Sequence, residues 1–147
     1  MATKNATLYD TDFYAWTVEQ AALLRAGRLS ELDIENLAEE VDSMGRSERR
    51  ELVSRLTVLL LHLLKWRYQP GFRGNSWRLS IEEQRIQVSD HLSENPSLKS
   101  QLDNLMRSAY RSGRLHAERE TGLDRATFPA ESPFSFDEAM HPNFWPD

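Results

Sequence analysis

The chain has 147 residues, no cysteine and a net charge of −5. That length suits one domain able to bury a core without cross-links, and the missing cysteines exclude disulfides, thiol catalysis and zinc–thiolate centres. Acidic and basic residues are interspersed, which argues against a phosphate-backbone binder.

Residues 1–9 show no periodicity and read as an arm, without the basic start and apolar run of a signal peptide. A first helix is expected over 11–26, with a stripe of Phe13, Trp16, Leu23 and Leu24 and a stop at Gly27. Ser30 followed by Asp33 resembles a capping box for the second helix. The stretch 34–66 then reads as one long helix. Its stripe is Ile34, Leu37, Ala38, Val41 and Met44. Gly45 costs about 1 kcal/mol inside a helix. The stripe nevertheless resumes in phase at Leu52, Leu56, Leu59 and Leu63, so continuity or a slight kink is expected. Residues 56–64 are apolar nearly all the way round, the mark of a central helix in a small bundle. That run falls far short of the roughly 20 residues of a membrane span.

Residues 68–75 hold a Pro-Gly pair and a second glycine, and so predict a loop. A third helix over 76–93 carries the stripe Trp77, Ile81, Val88 and Leu92, and Asn95-Pro96 ends it. A fourth opens at Ser97 and reaches about Glu120, with Leu98, Leu102, Leu105, Ala109 and Ser112 on one face. The segment 123–147 alternates Phe128, Phe134, Phe136, Phe144 and Trp145 with prolines, a composition too aromatic for disorder. It is expected to wrap over the helices, with Ser135 and Glu138 capping one short turn. The predicted fold is therefore all-α: a single domain, 1–147, of four main helices in a bundle. A long central helix organises it, and an aromatic, proline-rich C-terminal segment lies over it.

On a wheel of 100° per residue, Glu35, Glu39, Asp42, Arg46 and Arg49 face away from the apolar stripe. They read as a solvated face with pairs such as Asp42–Arg46. The basic groups Arg46, Arg49, Arg50 and Arg107, Arg111, Arg114 read the same way. A second strip is different. Glu48, Arg55 and His62 recur at seven-residue spacing beside Leu52, Leu59 and Trp66, and Glu40, Glu51 and Lys65 border that face. Charges on an apolar face are costly unless paired. Arg85 sits in the stripe of the third helix, and its planar fork suits a carboxylate. Glu40 is its expected partner, then Glu48 or Glu51. The expectation is a partly buried polar layer of Glu40, Arg55, His62 and Arg85, roofed by Trp66 and Trp77. One reading makes it a structural network fixing helix register. The other makes it a pocket for a ligand or partner, with Glu40, His62 and Arg85 as catalytic candidates and Glu40 and His62 as metal candidates. A di-iron bundle needs Glu-x-x-His on paired helices. Only Glu138–His141 has that spacing, a single pair in the C-terminal segment. No phosphate loop, Gly-x-Ser-x-Gly elbow or His-Glu-x-x-His occurs.

Several motifs together resemble a family, the bacterial proteins grouped as domain of unknown function 29. They are Asp12-Phe13-Tyr14-Ala15-Trp16, Asn36-Leu37-Ala38-Glu39-Glu40, Gly45-Arg46-Ser47-Glu48, His62-Leu63-Leu64-Lys65-Trp66, Ser76-Trp77, Glu83-Gln84-Arg85 and Asn143-Phe144-Trp145-Pro146. The resemblance covers nearly the whole chain. It implies a stand-alone, helical, bacterial protein of a kind common in cyanobacteria, and it carries over no activity and no catalytic residue. The functional expectation is a small cytoplasmic protein acting by protein–protein interaction or regulation, with a protein partner or a second copy and no nucleic acid or membrane. The alternative is an enzyme, or a small-ligand or metal-binding protein, using the Glu/His/Arg layer. No cofactor is implied.

Overall fold

The computed structural model describes residues 8–147, and among these every regular element is a helix. The arm expected over 1–9 lies mostly outside the described residues, and residues 8 and 9 belong to a helical turn over 8–11. Asp12 then caps α1, Phe13–Arg25, its carboxylate accepting from the Ala15 N–H. Gly27, at φ +73°, ends it. The Gly27 N–H bonds to the Leu24 carbonyl and the Arg28 N–H to that of Leu23, the paired bonds that close a helix through a left-handed residue.

The cap of the next helix lies three residues later than the sequence pattern suggests. Ser30 falls in a 3-10 turn, Leu29–Glu31, and α2 runs Ile34–Tyr68. Asp33 caps it instead, because it already has fixed partners. Its carboxylate accepts from the Trp16 indole at 3.0 Å and the Asn36 amide at 2.8 Å, while its own N–H donates to Gln20 Oε1. The helix continues through Gly45 without a break.

The chain forms two compact units, residues 1–47 and 48–147. In the first, Trp16 is buried against Tyr9 and Phe13, at ring separations of 4.8 and 5.6 Å. Burial and then the nearby Glu40 carboxylate raise the Tyr9 hydroxyl above its ordinary value.

In the second unit Leu52, Leu56, Leu59, Leu60, Leu63 and Leu64 of α2 are fully buried. Helix α3, Asn75–Glu94, adds Ile81 and Val88, and α4, Leu102–Thr121, adds Leu105, Ala109 and Ala117. Gly113 lets α4 approach α2. A Cβ there would lie 3.3 Å from the Thr57 carbonyl oxygen. The fourth helix does not begin as α-helix at Ser97. A 3-10 turn spans Pro96–Gln101, started by the Leu98 N–H bonding three residues back to Asn95, and Leu98 is buried.

The C-terminal segment turns its aromatics inward as expected. Phe128 and Phe134 are buried, Phe144 and Trp145 partly so. Ser135 and Glu138 form the expected reciprocal capping box on α5, Phe136–Met140. Among the described residues no helix is long and apolar enough to cross a membrane.

Candidate functional site

Arg85 is buried, as its place in the stripe requires, but it meets no carboxylate. Its Nε donates to the Ala139 carbonyl at 2.8 Å, Nη2 to Phe144 at 2.7 Å and Nη1 to Pro142 at 3.4 Å. The guanidinium also lies 5.2 Å from the centre of the Trp145 ring, which packs on Trp66 at 4.7 Å. The last turn of α5 and the irregular backbone after it leave carbonyls without helical partners, and a planar donor fork satisfies several at once. Arg85 is therefore the anchor of the C-terminal segment. The carboxylate partners expected for it are elsewhere: Glu40 belongs to the first unit, while Glu48 and Glu51 gather at His91.

The remaining members of the expected layer divide as follows. His62 is half-buried, and its Nδ1 pairs with the Val58 carbonyl of its own helix at 2.8 Å. Burial holds its imidazole below the ordinary histidine value, with the Val58 bond acting the other way. Arg55 is partly buried. Trp77 stands with Lys65, whose Nζ lies 4.9 Å from its ring and 2.8 Å from Glu120. The structure thus brings Arg85, Trp145 and Trp66 together, and separately Lys65, Trp77 and Glu120.

A cluster the sequence reading passed over forms between α2 and α3. The His91 ring is buried, at 4% exposure. Its Nε2 lies 2.8 Å from the Glu48 backbone carbonyl and 3.4 Å from the Glu48 carboxylate. Its Nδ1 lies 2.9 Å from Glu51 Oε2. One ligand atom from each of the three residues falls within 4.8 Å of the others, so this trio can hold a metal ion. The available signal was weak. Glu48 and Glu51 share a helix face at i,i+3, but a spacing rule confined to one helix cannot see a histidine on the next. The Glu138–His141 pair is committed to backbone capping. Glu138 accepts from the Ser135 N–H and His141 Nδ1 from the Asn143 N–H.

A cleft of about 680 Å³ runs along α4, lined among others by Arg107, Tyr110, Arg111, Arg114 and Arg125. Most of its polar groups serve the fold. Arg114 donates to the Phe128 carbonyl, Arg125 is held by Glu118, and Tyr110 donates to the Pro129 carbonyl at 2.6 Å. Burial pushes the Tyr110 hydroxyl up to about 12.

The first unit is unusual in what it leaves uncovered. Ile34, Val41 and Met44 of α2 are about 60% exposed, and Phe13, Tyr14, Val18 and Leu24 of α1 are exposed as well. With Leu37, the three α2 residues occupy an arc of about 80°, at the spacing of a coiled-coil seam. The stripe was expected to be core, and it faces outward. The same unit holds the protein's entire charge imbalance. Residues 1–47 contain nine acidic and four basic side chains, residues 48–147 fourteen of each.

Comparison with known proteins places the chain in one family. No curated protein and no solved structure is significantly similar to it. The family described as Domain of unknown function DUF29 matches residues 8–145, and the chain belongs to it.

Proposed function

We propose that this DUF29 protein is an interaction module whose first unit binds a basic, amphipathic helix of a partner protein. The observation that carries the proposal is the outward stripe of Ile34, Val41 and Met44 in a unit whose acidic residues outnumber basic ones nine to four. Exposed apolar side chains at heptad spacing suit a partner helix laid along them. Covering each is worth up to about 1.5–3 kcal/mol. The charge selects the partner. A second copy would bring like charge against like, whereas a lysine- or arginine-rich helix is attracted and steered. The absence of cysteine suits a reducing compartment, and the proposal places the protein in the bacterial cytoplasm.

The test is fluorescence anisotropy with a labelled leucine–lysine amphipathic peptide of about five turns. A scrambled peptide of the same composition, without an apolar face, serves as control. Micromolar binding of the first and not the second is expected, weakened about tenfold or more by Val41→Ser with Met44→Ser. Equal binding of both peptides, or affinity unmoved by the substitutions, would sink the idea. So would sedimentation of the free protein as a dimer that the same substitutions dissociate, because the face would then belong to a second copy.

A further inference from the structure

We infer that Glu48, Glu51 and His91 form a binding site for a divalent first-row transition-metal ion, tying α2 to α3. The geometry of the histidine leads to this. A backbone carbonyl can only accept, so the Glu48 carbonyl 2.8 Å from Nε2 fixes the proton on that nitrogen. That leaves Nδ1 to face Glu51 Oε2, 2.9 Å away. A lone pair and a carboxylate oxygen at that distance repel unless a cation lies between or beside them. Only a proton or a metal ion can fill that role here. Among the described residues neither Glu48 nor Glu51 is ion-paired to an arginine or lysine, and the neighbouring Arg49 is bonded to Gln101.

The dimensions suit a metal. Two ligands about 2.1 Å from one ion stand about 3.0 Å apart in a six-coordinate shell and about 3.4 Å apart in a tetrahedral one; the observed Nδ1–Oε2 separation of 2.9 Å meets the first as it stands and the second after a small shift of the half-exposed Glu51 carboxylate. A ring nitrogen whose other N–H donates to a backbone carbonyl is the usual arrangement of a metal-bound histidine. The two carboxylates are about half exposed, at 52% each, so an ion can enter from solvent and keep water in its remaining positions. One imidazole nitrogen with two carboxylate oxygens favours ions such as Zn²⁺, Mn²⁺ or Co²⁺ over Mg²⁺ and Ca²⁺, which prefer all-oxygen shells. The site is independent of the outward stripe of the first unit, and either can fail without the other.

The experiment is titration of the EDTA-stripped full chain with Zn²⁺ and Co²⁺, followed by calorimetry and by the visible bands of cobalt, with Mg²⁺ as competitor. One ion per chain is expected, undisturbed by equimolar Mg²⁺, together with a higher melting temperature in Zn²⁺. Glu51→Gln and Glu48→Gln are nearly isosteric changes on half-exposed side chains, and each should weaken binding about tenfold or more. Glu138→Gln should leave it unchanged. His91 is buried and its removal threatens the fold, so its role is read by X-ray absorption of the zinc form, which should show one imidazole. No uptake at micromolar metal, affinity unmoved by Glu51→Gln, or a zinc shell without imidazole would each overturn the assignment.

Discussion

Arg85 gives three donors to backbone carbonyls between Ala139 and Phe144 and shields its face with Trp145. Arg85→Leu removes those donors together and should cost about 2–3 kcal/mol in urea unfolding, since it leaves the buried Ala139 carbonyl unmatched and removes two part-buried bonds from a charged donor. Arg85→Lys should recover only part of this, because an ammonium cannot reproduce the planar fork. His62 makes the opposite kind of contribution, one that depends on acidity. Its folded-state value lies below the ordinary 6.5 because burial penalises the imidazolium. The unfolded chain therefore binds the proton more readily. The stability tied to neutral His62 is complete above about pH 6.5 and is lost as pH falls below it. Urea midpoints should drop between pH 7.5 and 5.5 by more in the native protein than in His62→Gln, and identical slopes would count against this. Both arginine and histidine were visible in the sequence as polar groups on apolar faces. Their partners were not. Arg85 pairs with backbone carbonyls 54 to 59 residues away, and a carbonyl carries no mark in the sequence to say it will be left without a helical donor.

Helix α2 was legible nearly residue for residue through 56–64, because an all-round apolar run has only one stable place. Periodicity predicts core for its first three turns as well, and there Ile34, Val41 and Met44 are exposed instead. A stripe at helical spacing says that a face needs cover, not which chain supplies it. The same limit hid the His91 cluster, whose ligands come from two helices. Continuity through Gly45 is now open to a direct test. A Cβ at Gly45 would meet nothing within 4 Å, and the residue lies inside regular helix. Gly45→Ala should raise stability by about 1 kcal/mol by denaturant melts. A loss instead would mean that the helix needs to bend at that point. Gly113 is the contrasting case. Its missing Cβ is what admits the Thr57 carbonyl, so the propensity gained by a larger residue there is set against a close contact.

On the scale of the whole molecule, residues 48–147 are balanced in charge and residues 1–47 carry the acidic excess. The second is built around a buried leucine core, with its C-terminal segment fastened down. The first presents apolar side chains among carboxylates. Binding of the basic peptide should accordingly weaken as salt rises from low to physiological ionic strength, while urea stability changes little, because screening acts on exposed charge and hardly on the leucine core. Salt-independent affinity would remove charge from the account of recognition. The Arg85 anchor has a further consequence, for the order of folding. The C-terminal segment docks on a surface that helices α2 and α3 build, where Arg85 and Trp66 meet Trp145. Such a segment is expected to dock last, once the helices that carry its surface have packed. Contacts absent from the folding transition state act chiefly on the rate of escape from the native state. The arginine is in that sense a catch that governs how long the folded protein lasts, more than how quickly it forms.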